Sequence, residues 1–190
     1  MFFALVVKSQ AFLPGYYIDR DGKKIEGQIK YNFKYKHKGV LKELQYFIFK
    51  SPTVKKTTVD ADMVQSFFVS GEKYVPLGGS ETVFLHVVLD GPVKIYARYS
   101  EGSRMGFTGG TGPNGLPQSG SYKVKIADYL YGDSPDNAVD ITRENFPEIM
   151  TKAMSAVPQM GQLIKDGRYD LGSTEEMIKM YYAIKNRKTL

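Results

Sequence analysis

The sequence predicts an α+β fold: a mainly antiparallel β-sheet or partly closed barrel over residues 15–130, then a C-terminal layer of two to three helices over residues 142–186. Three observations predict it. Apolar residues alternate with period two through the first two thirds of the chain, the period lengthens to 3.6 after Asp140, and strands precede helices without the interleaving of βαβ units. With 190 residues, 42% of them hydrophobic, the chain can bury a full core without a metal or a covalent staple. It reads as one domain over 12–190, β-rich over 12–140 and helical over 141–190.

The clearest strand covers residues 23–33, where Ile25, Gly27, Ile29, Tyr31 and Phe33 alternate with Lys24, Glu26, Gln28 and Lys30. A first strand over 15–20 precedes it across Asp21-Gly22, a dipeptide that tolerates the positive φ of a tight hairpin turn. Further strands follow at 44–50, 63–69, 83–89, 93–99 and 122–130. Asp90-Gly91 marks a second hairpin, with Pro92 at a strand start. Between the last two strands, residues 106–120 hold six glycines and two prolines and read as a long flexible loop. It lacks the Lys-Ser/Thr of a phosphate cradle and leads toward a strand, not into a helix.

After Asp140, Phe146, Ile149, Met150, Ala153, Met154 and Val157 form one apolar helical stripe that Pro158 ends. A short helix over 159–165 stops at Asp166-Gly167. Ser173-Thr174-Glu175-Glu176 then reads as a capping box for the last helix, whose apolar face is Met177, Ile178, Tyr181, Tyr182 and Ile184.

Chemistry is restricted by what is missing. The chain has no cysteine, which removes thiol nucleophiles, redox pairs, Fe–S clusters and cysteine-bound zinc together. Only His37 and His86 carry imidazoles. By alternation His86 shares a face with Phe84 and Val88, the placement of a hydrogen-bonded inward residue, and no Gly-x-Ser-x-Gly or His-Glu-x-x-His pattern accompanies it. A hydrolase using His86 with an aspartate is the reading that would need it. Asp133, Asp136 and Asp140 do not match the alternating donors of a calcium loop and serve turn formation. No cofactor or metal set is read from the sequence.

Charge is uneven. Residues 23–56 hold ten lysines against Glu26 and Glu43, although the whole chain carries only +6. Lys34, Lys36, Lys38, Lys55 and Lys56 are the candidate contacts for nucleic acid or another polyanion, an alternative function for the segment 30–56. Strand alternation opposes it, because Tyr31, Phe33 and Tyr35 should turn inward while the lysines turn out.

Residues 1–7 form a short apolar run, and Ser9-Gln10-Ala11 sets small residues at signal-peptidase spacing. Residues 1–11 therefore read as the tail of an export signal without its basic start, or as an edge strand. The run is too short for a transmembrane anchor.

Gly15-Tyr16-Tyr17-Ile18, Asp21-Gly22 and Ile25-Glu26-Gly27-Gln28-Ile29 resemble the opening of a group of uncharacterised exported proteins of Bacteroidetes-type bacteria. Phe84-Leu85 with Gly91, Val93 and Ile95-Tyr96 is similar to their middle hairpin, and Ile141-Thr142, Asn145-Phe146 and Tyr181 to their helical tail. Where that group has Gly-Asp-Thr at the first turn, this chain has Asp21-Gly22-Lys23-Lys24. The resemblance implies a periplasmic or secreted location and a β-rich fold with a helical end. It brings no activity.

The function expected from these readings is a non-catalytic envelope or secreted module that binds a ligand or partner. With 14 Tyr and 11 Phe the chain is rich in rings suited to half-wet contacts. Tyr96, Tyr99, Phe107 and Tyr122, which flank the glycine-rich stretch, are the candidate ligand contacts.

Overall fold

The computed structural model describes residues 11–31, 35–37, 40–42, 45–78, 82–91, 93–111 and 117–187. In chain order its elements are β1 (Leu13–Asp19), β2 (Lys24–Tyr31), β3 (Tyr35–His37), β4 (Val40–Lys42), β5 (Tyr46–Lys50), β6 (Thr57–Asp60), β7 (Val64–Val69), β8 (Glu72–Leu77), β9 (Val83–Leu89), β10 (Lys94–Thr111), β11 (Pro117–Gly132) and β12 (Val139–Asp140), then α1 (Phe146–Ala153), α2 (Pro158–Lys165) and α3 (Thr174–Arg187). Ten strands form one open antiparallel sheet in the order β12-β11-β10-β9-β8-β7-β1-β2-β5-β6, so the α+β architecture is present and the barrel alternative is not. β3 and β4 pair with each other outside that sheet, and β4 approaches β10 without forming a ladder with it.

The order follows from two meanders that share a centre. β1 pairs with β2 on one side and β7 on the other, so the chain runs outward to β6, returns, and runs outward again from β7 to β12. Each reversal uses residues that tolerate the backbone it needs. Gly22 has φ +82°, and the Asp19 carboxylate accepts the Asp21 and Lys23 N–H groups at 3.0 and 2.9 Å. Between β7 and β8, Ser70 (φ +53°) and Gly71 (φ +82°) are both left-handed, as a two-residue hairpin requires. β8 contains Pro76, and the β7 ladder stops at Tyr74, so the proline interrupts no pairing on that side.

Period-two alternation builds two faces. One face carries Ile29, Phe47, Phe49, Val59, Phe67, Tyr74 and Phe84, all buried, from β2, β5, β6, β7, β8 and β9. The sheet curls enough for Phe47 of β5 to meet Phe67 of β7 at 4.7 Å and Phe84 of β9 at 5.9 Å between ring centroids. Further along, Leu89, Ile95, Ala97 and Tyr129 receive the helices through Phe146, Ile149, Met150, Met154, Met160, Met177 and Tyr181. On the reverse face Leu85, Tyr96 and Leu130 form a smaller buried group.

Several expectations need correction. β6, β8 and β12 lie where no strand was expected, and β3 and β4 divide a segment read as strand only in part. Most consequentially, residues 106–111 and 117–120 are not loop: β10 and β11 continue through them. In the helical part, Asp170 and Ser173 cap a short 3-10 turn, Leu171–Ser173, that leads directly into α3. Residues 1–10, where the export signal or edge strand was expected, lie outside the described residues.

Candidate functional site

The register dictates one continuous row across the inner face. Ile25, Tyr17, Phe67, Tyr74, His86, Ala97 and Tyr129 are successive cross-strand partners on β2, β1, β7, β8, β9, β10 and β11. Rings on neighbouring strands then have little choice but to stack. Phe67 lies on Tyr74 at 4.5 Å and 6°, and Tyr74 on His86 at 4.9 Å and 22°. The imidazole is thus the third ring of a ladder, and its Nδ1 shares a 3.0 Å hydrogen bond with the Tyr99 hydroxyl.

Polar groups collect at this row. Tyr74 donates its hydroxyl to Glu72 Oε2 at 2.6 Å, and Tyr31 donates to the same oxygen at 3.3 Å. Burial, the largest cause, raises the Tyr74, Tyr31 and Tyr99 phenols above their ordinary value. It pushes Tyr129 up to about 12, with the Glu175 carboxylate contributing. At any physiological pH these phenols keep their protons and do not act as bases, and Tyr74 and Tyr31 donate theirs to Glu72. A hydrolase would need a carboxylate to orient the imidazole, and Glu72, the next carboxylate along the same strand face, is engaged by Tyr74 and Tyr31.

These phenols make a testable alkaline signature. In the folded protein Tyr96 and Tyr129 titrate near 12 and Tyr74 and Tyr99 higher still, against 10.0 for an ordinary phenol. Because the folded values are raised, the associated stability is fully present below the unfolded value and lost as pH rises through the folded values. The unfolding midpoint should hold from neutrality to about pH 9 and fall above about pH 10. Near-ultraviolet phenolate absorbance should resolve a fast-titrating subset of the 14 tyrosines from a subset released only on alkaline unfolding. All of them titrating together near 10 in the native protein would contradict the burial.

Tyr99 stands where β10 leaves the sheet. β10 pairs with β9 only through Ile95, Tyr96 and Ala97, and β11 pairs with β12 only through Leu130 and Tyr131. β10 and β11 nevertheless stay in unbroken register with each other from Lys94↔Gly132 to Phe107↔Ser119, and meet again at Thr111↔Pro117. From Tyr99↔Ala127 to Phe107↔Ser119 they form no ladder with any other described strand. That length of two-stranded ribbon spans about 30 Å at the rise of an antiparallel strand. Its base is held by the Tyr99–His86 bond, by Tyr129 in the helix-covered core and by Arg98 3.8 Å from Asp128. Beside that base is a cleft of ≈ 290 Å³ lined by Arg98, Asp128, Tyr129, Asp140 and Leu171.

The predicted site residues divide accordingly. Tyr96, expected as a ligand contact, is 1% exposed and packs with Leu85 and Leu130 on the reverse face. Its parity in β10 is opposite to that of Tyr99, and β9 and β11 cover it on both sides. Tyr99 is half-buried at the base of the ribbon, while Phe107 and Tyr122 take ribbon positions opposite Ser119 and Arg104. Lys55 and Lys56 are exposed between β5 and β6, Lys36 lies in β3, and Lys34 and Lys38 fall outside the described residues, as does Phe33. Tyr31 turns inward as alternation expects, its ring 5.4 Å from Tyr74. Asp136 accepts the Gly78 N–H at 3.3 Å, a turn contact.

Sequence reasoning missed Glu72 and Tyr74 because β8 was not expected. Ser70-Gly71 between two apolar runs was the available signal. Among the described residues no three His, Asp or Glu side chains gather as a metal site, and no helix is long and apolar enough to cross a membrane. Compared with family models, curated proteins and solved structures, the chain finds no match.

Proposed function

We propose that this protein is a non-catalytic binding module of the cell envelope or secreted space, and that it engages its partner through the β10–β11 ribbon. The observation that carries the reading is the ribbon itself: a register of nine consecutive residue pairs, Tyr99↔Ala127 to Phe107↔Ser119, held beyond the sheet and braced at its base. A two-stranded ribbon is marginal alone in water, so its retention in extended register is best accounted for by a contact that uses it. The phenol–carboxylate–imidazole row supports the non-catalytic half of the reading, since the Tyr74 and Tyr31 protons go to Glu72 and His86 Nδ1 is engaged by the Tyr99 hydroxyl. Export rests on the residues 1–11 and on the resemblance given above.

Shortening the ribbon tests this. Gly102 and Val124 are cross-strand partners, so replacing residues 103–123 by Asn-Gly closes the hairpin with a two-residue turn and leaves the sheet ladder untouched. The unfolding midpoint should move by no more than a few degrees, while the proteins cross-linked to the full-length chain in its native envelope fraction are lost. Identical cross-linked sets from both chains would refute the proposal. So would unfolding of the shortened chain, because the ribbon would then be part of the core.

A further inference from the structure

We propose that the ribbon's partner is a second copy of this chain, paired antiparallel through the outer edge of β10 with a two-fold axis at Ser103. The inference rests on the ribbon being a contact surface and names what it contacts. It begins from one hydrogen bond, Ile141 N–H to Tyr129 C=O at 2.8 Å. That bond turns the Tyr129 peptide groups toward β12 and away from β10. Because backbone groups alternate along a strand, Ala127, Lys125, Lys123 and Ser121 also present theirs outward from the ribbon. Ala97 is the partner of Tyr129, so on β10 the outward set is Tyr99, Glu101, Ser103, Met105 and Phe107.

The two edges differ in what they would set against themselves. Ser103 is the midpoint of the regular segment 99–107. Antiparallel pairing about it places Ser103 opposite Ser103, Glu101 opposite Met105 and Gly102 opposite Arg104, so no like charges meet. The same operation on β11, about its midpoint at position 123, sets Lys123 against Lys123, and directly opposed like charges destabilise a strand pair. β11 further carries Lys125 and begins at Pro117, residues that protect a strand edge from addition. Among the described residues β4 approaches β10 without forming a ladder with it, so β10 is the edge whose self-pairing sets no like charges against each other, and a strand that pairs with itself about a two-fold is self-complementary by symmetry. Two ribbons joined in this way make four strands, past the size at which a sheet stops being marginal.

The absence of cysteine makes a direct test possible. Residues opposed across a hydrogen-bonded antiparallel pair lie about 5.5 Å apart at Cα, inside the roughly 4.4–6.8 Å that a disulfide bridges. Ser103→Cys should therefore form a covalent dimer on oxidation, seen on non-reducing gels, whereas Lys123→Cys should not. The unmodified full chain should sediment at twice its monomer mass at tens of micromolar, and Ser103→Pro, which deletes an outward N–H and leaves the inner ladder intact, should return it to monomer. A monomeric unmodified chain overturns the inference, as does cross-linking through position 123 in place of 103. The shortening experiment reads partners of any kind, so loss of cross-links there beside a monomeric unmodified chain here would keep the ribbon as a contact surface and remove only its identity as a self-contact. If Ser103→Pro fails to fold, the cysteine pair still decides.

Discussion

Phe67→Ala is expected to destabilise the protein more than any other single truncation, by about 3–5 kcal/mol. The residue is fully buried and meets rings on four other strands: Tyr74 stacked at 4.5 Å, Phe84 edge-on at 4.8 Å, Phe47 at 4.7 Å and Tyr31 at 6.0 Å. Removing it opens a cavity at the point where β5 is brought over β7 and β9, lined by the rings it separated. The loss has a second consequence. Tyr74 loses the ring that fixes its plane, and Tyr74 in turn positions the hydroxyl bound to Glu72 and the stacked His86. For a chain of this length the cost corresponds to a fall in Tm of roughly 10–15 °C at about 2–4 °C per kcal/mol. Phe67→Leu, which keeps much of the apolar volume but not the stack, should recover most of the cavity cost. A loss under about 1 kcal/mol for Phe67→Ala would show that the curl of the sheet does not depend on these rings.

How far the sequence reveals this arrangement depends on what each residue had to signal. Alternation at 25, 27, 29 and 31 is strong because one face is dry and the other wet, and it correctly turned Tyr31 toward the core. The helical stripe from Phe146 to Val157 was legible for the same reason. Glycine at 106, 109, 110 and 120 was misleading. Composition reports the freedom of the backbone, and register with the opposite strand removed that freedom. β8 was hidden because Glu72, Lys73 and Pro76 interrupt its apolar pattern, and with it went the Glu72–Tyr74–His86 row, which exists only once three strands are in register. The site depends on cross-strand pairs that no single window of sequence contains. The bulge between Ile95 and Tyr96 is a further example, since it is visible only against the register of β9.

Gly27→Ala should be the most damaging small substitution, at about 3 kcal/mol by overpacking, and its cause differs from that of the truncation. A Cβ at this position would lie 2.5 Å from the Lys50 carbonyl oxygen and 2.5 Å from Phe49 Cζ. The ring could swing aside, but the carbonyl belongs to β5, whose ladder with β2 runs through Gln28↔Lys50 and Ile29↔Phe49. Gly27 is paired with Gly15, whose own Cβ would press on the Phe68 carbonyl, so the two glycines together let β5 and β7 close on β1 and β2. Phe49 then lies across Gly27 and meets Tyr17 edge-on at 5.0 Å. Gly22→Ala is the informative comparison, because there the space is open and only the φ of +82° opposes a side chain. That costs about 1–2 kcal/mol. If steric closure is the cause, Phe49→Leu added to Gly27→Ala should restore only part of the loss, since the Lys50 carbonyl stays in place. Full recovery in urea unfolding of the double variant would mean that the ring alone requires glycine there, and equal losses for Gly22→Ala and Gly27→Ala would remove the case for a close approach at β2 altogether.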